Sequence, residues 1–211
     1  MPIPSDPPAL RLALDDGTPV LLRPVRAEDA ERLRAGLDDL SPDSRVTRFF
    51  SPVTHFSDQQ LAYLTHVDQE NHVAWGALDV SSEESVGLGI GRFARLPDEP
   101  DVAEIAITVI DAAQRHGLGS RLLALLHVLA RRRGITTFRA VLMAQNHALI
   151  RRVQAFGGTA HSTGSEVTLD LPVLTAAADL PDTPEAEAFK RALREVETAF
   201  AAQADAPPGS G

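Results

Sequence analysis

The segment best equipped for chemistry runs from residue 104 to 119, EIAITVIDAAQRHGLG. A β-branched apolar run, the pattern of a central strand, passes straight into Gln114-Arg-His-Gly-Leu-Gly119 and then into a leucine-rich stretch. Glycines at the mouth of a helix let the backbone approach a ligand closely and turn several N–H groups outward. The helix dipole strengthens their pull on an anion. That chemistry suits a phosphate or pyrophosphate, although a G-x-G before a helix serves equally as a plain tight turn. The motifs G-x-x-x-x-G-K-[ST] and G-x-G-x-x-G are both missing. The chain has no cysteine, which excludes thiol nucleophiles, disulfides and cysteine-ligated metals. His55, His66, His72, His127, His147 and His161 show no ligand spacing, so no metal is expected, and no serine stands beside a histidine in a nucleophile motif.

The elements that must position this segment are legible from periodicity. Two short apolar runs, 10–14 and 20–23, flank Asp15-Asp-Gly and read as a hairpin. Ala30, Leu33 and Leu37 give residues 27–40 a helical face that Ser41-Pro42 should end. Ser57-Asp58 should cap a second helix through Leu61 and Leu64. Residues 72–80, 85–94 and 104–110 follow as strands. Leu118, Leu122, Leu125, Leu126 and Leu129 predict a helix over 117–133, with Gly134 as its C-terminal stop. A strand over 136–143, a helix capped by Asn146 and a last strand over 166–171 complete a mixed α/β (α+β) sheet in one domain. The expected boundaries are a disordered arm over 1–9, the domain over 10–174, and an extension over 175–211 with one helix and a disordered end.

Composition narrows the function classes. The 211 residues are 44% hydrophobic and 23% charged, enough for a full core without staples. A net charge of −9 speaks against a general nucleic-acid binder. No apolar run reaches the roughly 18–20 residues of a membrane span, and residues 1–8 lack the features of a signal peptide, so a cytoplasmic protein is expected. Lys190 is the only lysine among 20 basic residues, a bias that fits a GC-rich coding sequence.

The order of elements around Gln114-x-x-Gly117-x-Gly119 resembles the GNAT superfamily of N-acetyltransferases over roughly residues 10–172. More narrowly, Leu40-Ser-Pro-Asp-Ser-Arg45, Arg48-Phe-Phe50, Leu64-Thr-His-Val-Asp68 and Ala103-Glu-Ile-Ala106 resemble the bacterial Pat-type protein lysine acetyltransferases. The resemblance implies acetyl-CoA as co-substrate and a protein lysine as acceptor, for this type a lysine of an AMP-forming acyl-CoA synthetase. It carries no implication of cyclic-nucleotide control.

It also implies roles. Glu104 matches the family's general base, the alternative being a merely solvated or salt-bridged carboxylate. Val109 would bond the pantetheine arm through its backbone. Gln114, Arg115, His116, Gly117, Leu118, Gly119 and Ser120 would hold the pyrophosphate through main-chain N–H groups, with the side chains of Arg115 and His116 either adding charge or facing solvent. Asn146 would contact CoA, cap its helix, or do both. Many small-molecule members carry a tyrosine in the helix after that asparagine; Val153 stands there, and Tyr63 is the only tyrosine. Two other functions remain open: acetylation of a small amine such as a polyamine, aminoglycoside or amino acid, and non-catalytic binding of acyl-CoA.

Overall fold

The computed structural model describes residues 8–49, 51 and 53–204, apart from the side chains of residues 185 and 204. Most of the N-terminal arm, the C-terminal end from residue 205 and Phe50 of the Arg48-Phe-Phe motif lie outside the described residues. Among the described residues, eight strands form one sheet in the order β1-β2-β3-β4-β5-β6-β8-β7. They are β1 (Leu10–Ala13), β2 (Pro19–Pro24), β3 (His72–Asp79), β4 (Val86–Leu96), β5 (Glu99–Val109), β6 (Thr137–Met143), β7 (Thr159–Thr163) and β8 (Glu166–Pro172). All neighbours are antiparallel except β5 and β6, which run parallel.

Helices α1 (Ala30–Asp38), α2 (Pro42–Phe49) and α3 (Asp58–Thr65) precede β3, α4 (Leu118–Arg131) links β5 to β6, α5 (His147–Ala155) links β6 to β7, and α6 (Pro184–Ala204) follows β8. The strict alternation of strand side chains divides the sheet. Trp75, Phe93 and Ala103 turn toward α4 and α6 and are fully buried there with Leu122, Leu125, Leu129 and Leu193. Intervening residues such as Ile90 and Arg92 face the cover made by α1, α2 and α3. The helix of the C-terminal extension is a structural layer, with Phe189, Val196 and Phe200 buried in the same core.

Three elements differ from the sequence reading. Ser41-Pro42 begins a helix as well as ending one: the Ser44 N–H donates to Ser41 Oγ (3.2 Å) and Pro42 takes the first helical position, where its missing N–H costs nothing. Strand β5 starts at Glu99, because Pro97-Asp98 is a two-residue hairpin that pairs Leu96 with Glu99; an irregularity then skips residues 100–102 before Arg95 meets Ala103. Glu104 therefore sits in mid-strand, five residues in, and its side chain is exposed on the face opposite α4. Strand β7 is an additional edge strand, too polar and exposed to leave an alternating pattern.

Candidate active site

Strands β5 and β6 pair only at Val102–Thr137, Ala103–Phe138 and Glu104–Arg139, after which they diverge. On its other side β5 continues to pair with β4 as far as Val109, and the Ile110 N–H donates to the Leu88 carbonyl (3.0 Å). Antiparallel alternation then turns the backbone groups of Ile105, Ile107 and Val109 toward the diverging side. The result is a wedge whose apex is Glu104 and whose wall is an unpaired strand edge. From Glu104 to Val109 the strand covers roughly 17 Å at about 3.3 Å per residue.

The open end of the wedge is the start of α4. Gly117 is its N-cap residue with φ 82°, and no side chain caps the helix. The N–H groups of Leu118, Gly119 and Ser120 have no intrahelical acceptor by helix geometry. Arg115 is also left-handed at φ 66° and exposed. Such a turn aims successive N–H groups into one concavity. Gln114 contributes differently: its own N–H bonds the Asp111 carbonyl (3.3 Å), and its Nε2 donates to the Val109 carbonyl (3.2 Å). It braces the turn between strand and loop and leaves the Val109 N–H free.

The β1–β2 hairpin clamps this loop from behind. The Asp15 N–H donates to the His116 carbonyl (3.1 Å), Asp16 lies 3.2 Å from His116 Nδ1, and Asp15 pairs with the buried Arg121 (3.0 Å). A side chain at Gly117 would press on Asp15 and Arg121, whereas Gly119 has open space around it. The His116 ring is thus held by the hairpin, and Arg115 is the loop's exposed cation. Asn146 caps α5, its Oδ1 accepting from the Leu149 N–H (3.3 Å). Val153 packs against the core.

On the other face the site holds residues that periodicity alone does not reveal. Glu104 bonds no described side chain, and the charges of Arg48 and Arg92 act on it. Arg48, near the end of α2, donates from Nε to Thr108 Oγ1 (3.0 Å). Arg92 on β4 bonds the His72 ring and lies 4.9 Å from the Tyr63 ring centroid. Burial lowers the basicity of both guanidiniums. Burial and the Arg92 charge pull the His72 pKa down to about 4, so His72 is neutral near pH 7 and accepts at Nε2. The signs of this cluster in the sequence are an arginine within the apolar β4 run and the arginine of the Arg48-Phe-Phe50 motif. These arginines wall a cavity of about 100 Å³ roofed by Leu37, Leu40, Phe49, Phe56 and Leu64. Its cover is tied to the loop before α4: Asp111, just after β5, accepts from the Ser41 N–H (2.6 Å), from Ser44 Oγ (2.8 Å) and from Gln114 Nε2 (3.2 Å).

No three His, Asp or Glu residues form a metal-holding group, and no helix is long and apolar enough to cross a membrane, among the described residues. The acetyltransferase (GNAT) domain family matches residues 20–159. An acetyltransferase of Pseudomonas aeruginosa is 36% identical over 137 residues, 65% of this chain and 73% of that protein. The acetyltransferase Pat of Mycolicibacterium smegmatis is 32% identical over 162 residues, 76% of this chain but only 45% of that longer protein. The solved GNAT domain of Streptomyces lividans PAT superposes with a TM-score of 0.69 at 29% identity, covering 78% of this chain and 96% of that one.

Proposed function

Because the chain belongs to the GNAT family and is an acetyl-CoA-dependent N-acetyltransferase, we propose that it acetylates a lysine side chain of a protein, with Glu104 as general base. The observation that carries this reading is the wedge itself, a strand edge with free backbone groups running from the uncapped α4 N-terminus to a carboxylate with no bonded partner among the described residues. The acetyl thioester of acetyl-CoA supplies the group transferred. The N–H groups of residues 115–120 hold its pyrophosphate, and the Val109 N–H bonds its pantetheine arm. A backbone N–H of the β5 edge polarises the thioester carbonyl. Asn146, at the start of α5, adds a contact to CoA while it caps its helix.

A lysine amine has a pKa near 10.4 and arrives protonated at neutral pH. Glu104 removes that proton, directly or through one water; the neutral nitrogen then bonds the acyl carbon, the C–S bond opens, and the second N–H proton passes to the departing thiolate or to solvent. The departing thiolate has a conjugate pKa around 8.5 and needs no acid, which accommodates Val153 in place of a tyrosine. Direct transfer also fits a chain without cysteine. The likeness to Pat supports a protein acceptor, and we propose an AMP-forming acyl-CoA synthetase as that protein.

One observation favours a second reading, acetylation of a small amine: the segment 40–49 roofs a partly enclosed cavity instead of an open groove. Incubation with labelled acetyl-CoA and a bacterial lysate separates the two. Label on a lysine of an acyl-CoA synthetase is expected; label confined to the small-molecule fraction overturns the protein reading.

A further inference from the structure

The acceptor side of Glu104 carries more positive charge than its own residues neutralise. Among the described residues, four arginines line the cavity, Arg23, Arg32, Arg48 and Arg92, against the single carboxylate of Asp29. Asp29 is already engaged by Arg23 (2.6 Å) and Arg32 (3.2 Å). Arg92 is only 7% exposed, and its Nη1 is buried with no hydrogen-bond partner among the described residues. Its other neighbours are the neutral His72 ring and the face of Tyr63. Arg48 spends Nε on Thr108 and stacks 5.1 Å from the Phe49 ring centroid, with no described carboxylate bonded to it. Among the described residues, the one carboxylate whose charge both arginines feel is Glu104, the group that must stay free to take a proton. A buried guanidinium without a counter-charge is costly. The sign is local, since the chain as a whole carries −9.

A bare ammonium entering this cavity meets net repulsion. We propose that the acceptor presents an anionic group, in the first instance a carboxylate, beside the amine that Glu104 deprotonates, and that Arg48 and Arg92 hold that anion. The fork of a guanidinium matches a carboxylate in two parallel hydrogen bonds. The apolar roof of Leu37, Phe49 and Phe56 accommodates the methylene stem between the two charges. For a protein acceptor this means a lysine with an aspartate or glutamate next to it. Polyamines and aminoglycosides, which bring only cations, are poor fits. The inference rests on the reading of Glu104 as base.

The test uses N-terminally blocked peptides identical but for Asp, Ala or Arg beside a single lysine, together with a free α-amino acid, leucine. The full chain should turn over the Asp peptide with a kcat/KM about tenfold or more above the Ala peptide, and the Arg peptide should be slowest. Arg48→Gln and Arg92→Gln should each bring the Asp-to-Ala ratio toward one while the acetyl-CoA Kd holds. Arg48→Glu should reverse the order in favour of the Arg peptide, an inversion that a merely structural role would not produce. Equal turnover of all three peptides by the unaltered chain overturns the anion site and leaves the protein-lysine reading standing. Turnover of leucine alone, lost in Arg48→Gln, keeps the anion site and overturns the protein-lysine reading. Turnover of peptides and leucine that is indifferent to both arginines overturns the inference whatever the acceptor.

Discussion

The two sides of Glu104 are built from different materials. The side proposed to bind the acetyl donor consists mainly of backbone: an unpaired strand edge, a left-handed turn at Arg115 and Gly117, and a helix start without a side-chain cap. The acceptor side consists of side chains gathered from α1, α2, α3, β3 and β4. Backbone recognition needs a particular local conformation, which short-range residue types dictate, so it leaves a compact mark in the chain. Recognition by side chains needs only that distant segments meet, and each contributes an arginine or phenylalanine that no local pattern ties to the others.

Glu104 joins the two sides, and its loss should have the largest effect. Glu104→Gln keeps the size and hydrogen-bonding shape and removes the basicity. Acetyl-CoA affinity, which the proposal assigns to the donor side, should hold in a calorimetric titration. Turnover at pH 7 should fall by roughly 10²–10⁴-fold, the usual range for a lost general base. The deficit should narrow as pH rises and more amine arrives neutral. Near-normal turnover by the Gln variant at pH 7 removes Glu104 from the mechanism, and a stable acetylated enzyme would overturn direct transfer.

A smaller effect should separate the donor side from the fold that carries it. Gly117 is the wrong place for this test, since its φ of 82° and a Cβ 2.6 Å from Asp15 Oδ2 would strain the loop itself. Gly119 has open space, and a glutamate in the first turn of α4 suits the helix dipole. Gly119→Glu should leave thermal stability unchanged or slightly raised. Acetyl-CoA affinity should fall roughly 10–100-fold, the scale of one or two lost charge-assisted hydrogen bonds. Unaltered affinity in the folded variant would detach the pyrophosphate from this loop.

This contrast also explains what was legible in the sequence. The glycine loop, the leucine face of α4 and the capped starts of α3 and α5 were readable because cap, period and turn are local. Position 104 was readable as a candidate but not as mid-strand and exposed, because the Pro97-Asp98 hairpin extends β5 through polar residues that look like loop. Helix α2 was missed because Ser-Pro marks a start as well as a stop. Arg92 and His72 could not be paired from the sequence, since only the β3–β4 register brings them together.

Acid should expose the charged side chains first. His72 titrates at about 4, held down by burial and then by Arg92, and His127 at about 3, held down by burial and then by Arg131. Both lie below the unfolded value near 6.5, so between those limits the unfolded chain binds more protons and stability falls as pH falls. The contribution is complete above pH 6.5. It disappears as the pH descends to about 4 for His72 and about 3 for His127. His127 alone, fully buried against Phe138 and Phe189, sets a slope of up to about 1.4 kcal/mol per pH unit. The urea midpoint should therefore drop between pH 6.5 and 4.5. His72→Gln, which can still accept from Arg92 but does not titrate, should flatten part of that drop. A midpoint that is constant over this range would contradict the neutral state of both rings.

The smallest effect concerns Asn146, where two roles overlap. As an N-cap it satisfies one orphan N–H of α5, that of Leu149, and losing such a cap costs about 1 kcal/mol. In a domain of this size that is a shift in Tm of roughly 2–4 °C. Asn146→Ala removes both the cap and any contact to CoA. Asn146→Ser keeps a capping oxygen and removes only the amide. If Asn146 is a cap alone, the Ala variant should lose those few degrees, the Ser variant should regain them, and both should bind acetyl-CoA as the unaltered chain does. If it also touches CoA, the Ser variant should recover stability but not affinity. We expect the second result, because α5 begins on the β6 side of the wedge, where the chain leaves the diverging strand. Full recovery of both properties in the Ser variant would confine Asn146 to its helix.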